Sequence, residues 1–202
     1  MKIIGIFAHS VNGYFGVNGT LPWPHKIKED MKHFKTVTMG HPIIMGMGTW
    51  KSFNEKPLPG RLNIVVSSSF ADKPNTPWEP DGVRCFKCFN DAIDYLTANE
   101  YKECYVIGGG RLFDRVYQYI DEWMVTVVDY MVMPGNDVPV REYDMNWTIL
   151  RPGMIKTSER FLPIQNNPDN IQWLAFETYS YDAERDYSKK LSFWAKLKNL
   201  FK

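Results

Sequence analysis

The chain has 202 residues, with 24 Lys and Arg set against 23 Asp and Glu, for a formal net charge of +1. That length suits one domain with a full apolar core, and so even a charge balance offers no broad basic surface for a nucleic-acid backbone. No apolar run reaches membrane-spanning length, and the opening run is too short for a secretory signal, so the sequence reads as that of a cytoplasmic protein.

Lys2 to His9 (KIIGIFAH) is almost continuously apolar, the pattern of a central buried strand. Asn12-Gly13 and Asn18-Gly19 mark turns in the loop that follows, which is either a mobile lid or an ordinary connection. Next comes Leu21 to Val37 (LPWPHKIKEDMKHFKTV). At about 100° per residue, Ile27, Met31, Phe34 and Val37 share one helical stripe, with Lys28, Glu29, Lys32 and Lys35 on the other side. Asp30 falls inside the apolar stripe. A buried carboxylate needs a protein cation or a ligand that donates hydrogen bonds to it; a bridge to Lys26 or a loop cap is the structural alternative.

Pro42 to Met45 reads as a short buried strand, and Gly46-Met47-Gly48-Thr49 opens a short helix whose first N–H groups can face an anion. Leu58-Pro59-Gly60-Arg61 is a turn delivering an arginine to the strand Leu62 to Val66, which runs into Ser67-Ser68-Ser69. A polar, Pro-rich loop leads to the strand Val83 to Cys88 and a helix from about Asp91, with Asn90 as its N-cap. Cys104 to Ile107 is another strand, Gly108-Gly109-Gly110 a tight junction, and a helix follows from Arg111. This second glycine junction offers N–H groups to a pyrophosphate, although it is not the G-x-G-x-x-G fingerprint.

Glu122 to Val132 is a further strand, and Trp147 to Lys156 with Gln172 to Tyr181 form an antiparallel hairpin at the sheet edge. Repeated βα units of this kind make an α/β fold whose sheet is mainly parallel at its centre. Three cysteines argue against a disulfide framework. The strand alternation through Cys85 and Cys88 sends the two thiols to opposite faces, and no ligand spacing calls for a metal. In Lys189 to Lys202, Phe193, Trp194, Leu197, Leu200 and Phe201 share a face ringed by lysines, a basic amphipathic pattern suited to the protein's own body, another chain or an anionic membrane.

Taken together and in this order, the residues resemble the dihydrofolate reductase family. The match runs to about Tyr181 and comprises Leu21-Pro22-Trp23, Asp30, Pro42 to Gly46 with Thr49-Trp50, Leu58 to Arg61, Asn63 to Ser68, Val106 to Arg111, and Thr126. The resemblance implies a single α/β domain over residues 1–181, with a twisted, mainly parallel sheet, an antiparallel edge hairpin and flanking helices, followed by an extension over 182–202. It also implies hydride transfer from NADPH to C6 of dihydrofolate with a proton reaching N5, and antifolate-like small molecules as further ligands.

Carried onto this sequence, Asp30 is the catalytic, pterin-binding carboxylate and Trp23 holds an ordered water beside it. Thr126 bonds the pterin amino group, Phe34, Phe53 and Leu58 pack on the rings, and Arg61 takes the α-carboxylate of the glutamate tail. Ala8 and Ile107 contact the nicotinamide, Ala8 also bordering the substrate. The remaining cofactor contacts implied are Gly16, Gly46, Gly48, Thr49, Ser67, Ser68, Lys87, Gly108, Gly109, Gly110, Arg111, Leu112 and Phe113. Three features depart from the family pattern: a slightly long Trp23-to-Asp30 segment, Met47 and Gly48 where many bacterial members carry basic residues, and Phe113 where tyrosine is common. The weaker basic set leaves Ser68, Arg111 and Lys87 to favour NADPH over NADH. A second class, a non-catalytic binding or assembly protein attached through the C-terminal helix, has no need of the whole site set.

Overall fold

The computed structural model describes residues 1–16, 20–70, 83–133 and 154–181. Its eight strands are β1 (Lys2–Ser10), β2 (Ile43–Gly46), β3 (Asn63–Val66), β4 (Val83–Phe86), β5 (Glu103–Gly108), β6 (Glu122–Val128), β7 (Met154–Pro163) and β8 (Trp173–Tyr181). They form one sheet in the order β4-β3-β2-β5-β1-β6-β8-β7. The first six in that order run parallel, and β8 and β7 are antiparallel. The helices are α1 (Lys28–Thr38), α2 (Met47–Ser52), α3 (Phe89–Ala98) and α4 (Gly110–Val116), with 3₁₀ turns at Ser68–Phe70 and Tyr117–Tyr119.

Strand alternation divides the core between the two faces of the sheet. Ile3 and Phe7 of β1 join Phe89, Ala92 and Leu96 of α3 and Leu112, Phe113 and Val116 of α4 in one cluster. Ile4 and Ile6 turn the other way, to Met45, Trp50 and the partly buried Phe34 and Val37 of α1. A third cluster gathers Ala8, Trp23 and Ile27 with Ile164 and Ile171 of the β7–β8 connection. Gly5 is required where it stands, because a Cβ there would lie 2.2 Å from the ring of the fully buried Trp123.

Several boundaries differ from those read in the sequence. β6 ends at Val128 rather than Val132, because the Tyr130 N–H turns back to the Val128 carbonyl at 2.7 Å. Beyond it, Val132 exchanges hydrogen bonds with the Asn12 side chain, its N–H donating to Oδ1 at 3.1 Å and its carbonyl accepting from Nδ2 at 2.8 Å. The first hairpin strand is Met154–Pro163, not Trp147 to Lys156, whose part before Met154 lies outside the described residues. Almost every residue of this edge strand is exposed, so it shows no apolar alternation to read.

β4 stops at Phe86, and Cys88, not Asn90, occupies the N-cap position of α3. Cys88 has therefore left the alternation that would have set it opposite Cys85. The Asn18-Gly19 turn, the Pro-rich loop over 71–82 and the C-terminal extension all lie outside the described residues.

Candidate functional site

Helix α1 presents Asp30 to the sheet as the helical period requires. Ile27 is buried beneath it and Phe34 half-buried above it, while Lys28, Lys32 and Lys35 are exposed. Asp30 lies in the first turn, where the positive end of the helix favours a carboxylate. Only 6% of the residue is exposed, and burial pushes its carboxyl up from 3.8 to about 6, against the opposing hydrogen bond donated by Thr126. No ion pair reaches Asp30 from Lys26 or any other cation among the described residues. Thr126, 2% exposed, is the register partner of Ala8 on β1 and of Phe176 on β8, which puts Ala8 and Thr126 side by side facing α1.

Arg61 approaches the far end of α1. Its Nη1 donates to the Thr38 hydroxyl at 3.0 Å, and Thr38 donates in turn to the Phe34 carbonyl at 2.7 Å. The guanidinium carbon lies 5.7 Å from the centroid of the Phe34 ring. The Nε–H is buried without a hydrogen-bond partner, and desolvation draws the Arg61 pKa down. A fixed guanidinium with an unpaired N–H suits a carboxylate. Phe34, Phe53 and Leu58, all partly buried, pack against the cluster that includes Ile4, Ile6, Met45 and Trp50. Asn63 fixes the Leu58-to-Arg61 turn, its side-chain amide donating to the carbonyls of Leu58 and Arg61 at 2.9 Å each.

The two glycine junctions meet at the carboxyl ends of β2 and β5, the usual side for ligands in a parallel sheet. A Cβ at Gly46 would lie 3.8 Å from Leu112 Cβ and 3.9 Å from both the Gly108 oxygen and the Gly109 nitrogen. Gly109 faces Thr49, whose Oγ1 would stand 3.3 Å from a Cβ there. Gly108 has φ +113°, a backbone region that side chains rarely adopt. The Gly108–Gly109 peptide is cis. The N-caps Gly46 and Gly109 provide no side-chain cap, leaving the first amides of both helices for another partner. Side chains at these glycines would fill the groove between the junctions, which fits a pyrophosphate.

Other predicted contacts sit at varying distance from this groove. Gly48, Ser68, Lys87 and Arg111 are on the surface, while Gly16, Thr49 and Ser67 are half-buried. The Ser67 hydroxyl is 2.8 Å from that of Ser69. Ile107 and Gly110 are buried beside the junction. Leu112 and Phe113 lie in the core, and the Phe113 ring packs edge-on against Phe15 and Trp123 and tilted against Phe7. Trp23, 3% exposed, keeps a buried indole N–H without a partner.

The sequence reading missed an aromatic stack next to Asp30. The ring centroids of His33, one turn along α1, and Phe176 are 4.4 Å apart, and the Arg160 guanidinium carbon also lies 4.8 Å from the Phe176 centroid. Burial, with Arg160 nearby, holds the His33 pKa below its ordinary value. Its only sequence signal is the three-residue spacing from Asp30.

The sequence profile described as dihydrofolate reductase matches residues 2–161. A dihydrofolate reductase of Bacillus subtilis is 32% identical over 173 residues, covering 85% of this chain and 92% of the relative. One from Mycobacterium leprae is 34% identical over 151 residues, covering 73% of this chain and 86% of its own. The solved structure of dihydrofolate reductase from Enterococcus faecalis, complexed with NADP(H) and RAB-propyl, superposes with a TM-score of 0.67 over 90% of this chain and 96% of that one. At 22% identity that likeness speaks for the fold alone. With the profile spanning most of the sequence and relatives matched over nearly their full length, the chain belongs to the dihydrofolate reductase family.

Proposed function

We propose that this chain reduces dihydrofolate to tetrahydrofolate, with the roles divided between the acid-bearing helix and the paired glycine junctions. The observation that carries the reading is Asp30, a buried carboxylate on an apolar helix face, held by Thr126 and by no cation among the described residues. A pterin ring supplies the missing donors through its amino group and ring N–H. NADPH, when bound, supplies the hydride that is added to C6. Gly46, Thr49, Gly109 and Gly110 would hold its pyrophosphate, and Ala8 and Ile107 would border its nicotinamide. Asp30 orients the pterin and favours the form protonated at N5, so that the hydride and a proton together complete the reduced bond. The partner-free indole N–H of Trp23 can hold a water on the same ring, and the Arg61 guanidinium can take the glutamate tail.

NADPH oxidation that depends on added dihydrofolate is the direct test, and its absence in folded protein would sink the reading. The non-catalytic alternative gains no support from the family comparison. Among the described residues, no helix is long and apolar enough to cross a membrane; we place the enzyme in the cytoplasm, where a soluble substrate and cofactor meet. Residues 182–202 are proposed as an extension outside the catalytic domain. Deleting Lys189 to Lys202 is expected to leave kcat and KM unchanged while altering self-association or binding to anionic vesicles. Lost turnover in a still-folded truncated protein would instead make the extension part of the site.

A further inference from the structure

The segment from Trp23 to Asp30 carries a histidine with a partner far along the chain. His25 donates its main-chain N–H to Asp169 Oδ2 at 3.2 Å, and its imidazole Nδ1 lies 2.8 Å from Asp169 Oδ1. A carboxylate only accepts, so Nδ1 carries the proton, and one side chain grips both the ring and the backbone of His25. The two ends differ in exposure: 62% of the His25 side chain faces solvent but only 7% of the Asp169 side chain does. A carboxylate so nearly buried depends on the donors placed against it.

Asp169 is itself held rigidly. Asn167 accepts the Asp169 and Ile171 N–H groups on Oδ1, at 3.2 and 2.9 Å, and donates Nδ2 to the Ile171 carbonyl. Ile164 and Ile171, on either side of this turn, pack in the same cluster as Trp23, Ile27 and Ala8. The hairpin connection thus supplies both an apolar wall for Trp23 and an anionic clasp two residues further along.

We infer that His25 and Asp169 are positioning residues, a strap that fixes the Trp23 indole at the pterin end of the pocket by tying its segment to the β7–β8 connection. The inference rests on the assignment of Trp23 to the site. It requires that loosening the strap harm the chemical step more than ligand binding, since the substrate and cofactor are held mainly by Asp30, Arg61 and the glycine junctions.

The test compares His25→Ala, His25→Asn and Asp169→Asn with the parent chain. His25→Ala keeps the backbone bond and alters an exposed side chain, so it folds. Its kcat is expected to fall about tenfold, short of the roughly hundredfold that a 1 Å misplacement can produce, with the KM values for both substrates nearly unchanged. His25→Asn, whose amide N–H can reach the same carboxylate, should recover most of that loss, whereas Asp169→Asn should not. Acrylamide quenching of the Trp23 emission, isolated by difference against Trp23→Phe, should increase in His25→Ala. Parental kcat and parental quenching in His25→Ala would overturn the strap, as would equal losses in His25→Ala and His25→Asn. A parent chain with no dihydrofolate reduction would strike the proposed activity instead, and the quenching comparison would still decide on the strap.

Discussion

Asp30→Asn is expected to lose turnover by about a hundredfold or more at neutral pH, within the range that a positioned acid–base group contributes, and to regain part of it as the pH falls. The asparagine keeps the size of the side chain but loses the charge that favours a protonated pterin. At acid pH, solvent protonates the substrate without help. The parent kcat/KM profile should bend near pH 6, where burial sets the free carboxyl, and the variant should lack that bend. Stability should move the opposite way. Between an unfolded value of 3.8 and a folded value of about 6, the folded chain keeps a proton that the unfolded chain has lost, so stability falls as pH rises through that window. Above it the penalty is complete, about 3 kcal/mol at most for a carboxyl raised from 3.8 to about 6. Ligand-free Asp30→Asn should therefore melt above the parent at pH 7 and close to it below pH 4. Near-parental turnover at pH 7 would remove Asp30 from the mechanism.

Arg61→Ala is expected to raise the KM for dihydrofolate by about a hundredfold, the effect of truncating one partner of a desolvated charge pair, with little change in kcat. The guanidinium is bonded at the opposite end of α1 from Asp30, so a contact it makes with substrate would be equally present before and during hydride transfer, and its loss should show as weaker binding. A pterin substrate lacking the glutamate carboxylate should be handled equally well by parent and variant. Arg61→Lys should recover little, because an ammonium cannot offer both Nη1 to Thr38 and a second N–H edge to a ligand. An unchanged KM would show that Arg61 serves only to brace Thr38 and Phe34.

Where the chain would place the candidate substrate residues was partly legible because their signals are local. Asp30 broke a helical stripe within eleven residues of α1, and Arg61 followed a turn spelled by Pro59 and Gly60. The glycine junctions stood out separately, but only the structure shows Gly46 against Gly108 and Gly109, which the β2–β5 pairing brings together. Thr126 came from resemblance alone, since its use depends on register with Ala8 across two strands. Strand β7 was misplaced because an edge strand exposed on both faces has no period to find. The clasp between His25 and Asp169 joins residues 144 positions apart and leaves no trace in either neighbourhood.

The three apolar clusters share no member, and that separation has an energetic meaning. The smallest joins Ala8 of β1, Val128 of β6 and Leu174 and Phe176 of β8 to Trp23, Ile27, Ile164 and Ile171, so the Trp23 segment and the hairpin connection are the part of it that can loosen without parting the sheet. Opening of the Trp23 segment is therefore expected to cost less free energy than opening at the glycine junctions. A ligand spanning Trp23, Asp30 and Phe34 would tie the small cluster to its larger neighbour. Such a ligand is expected to slow amide exchange and proteolysis in this corner of the protein.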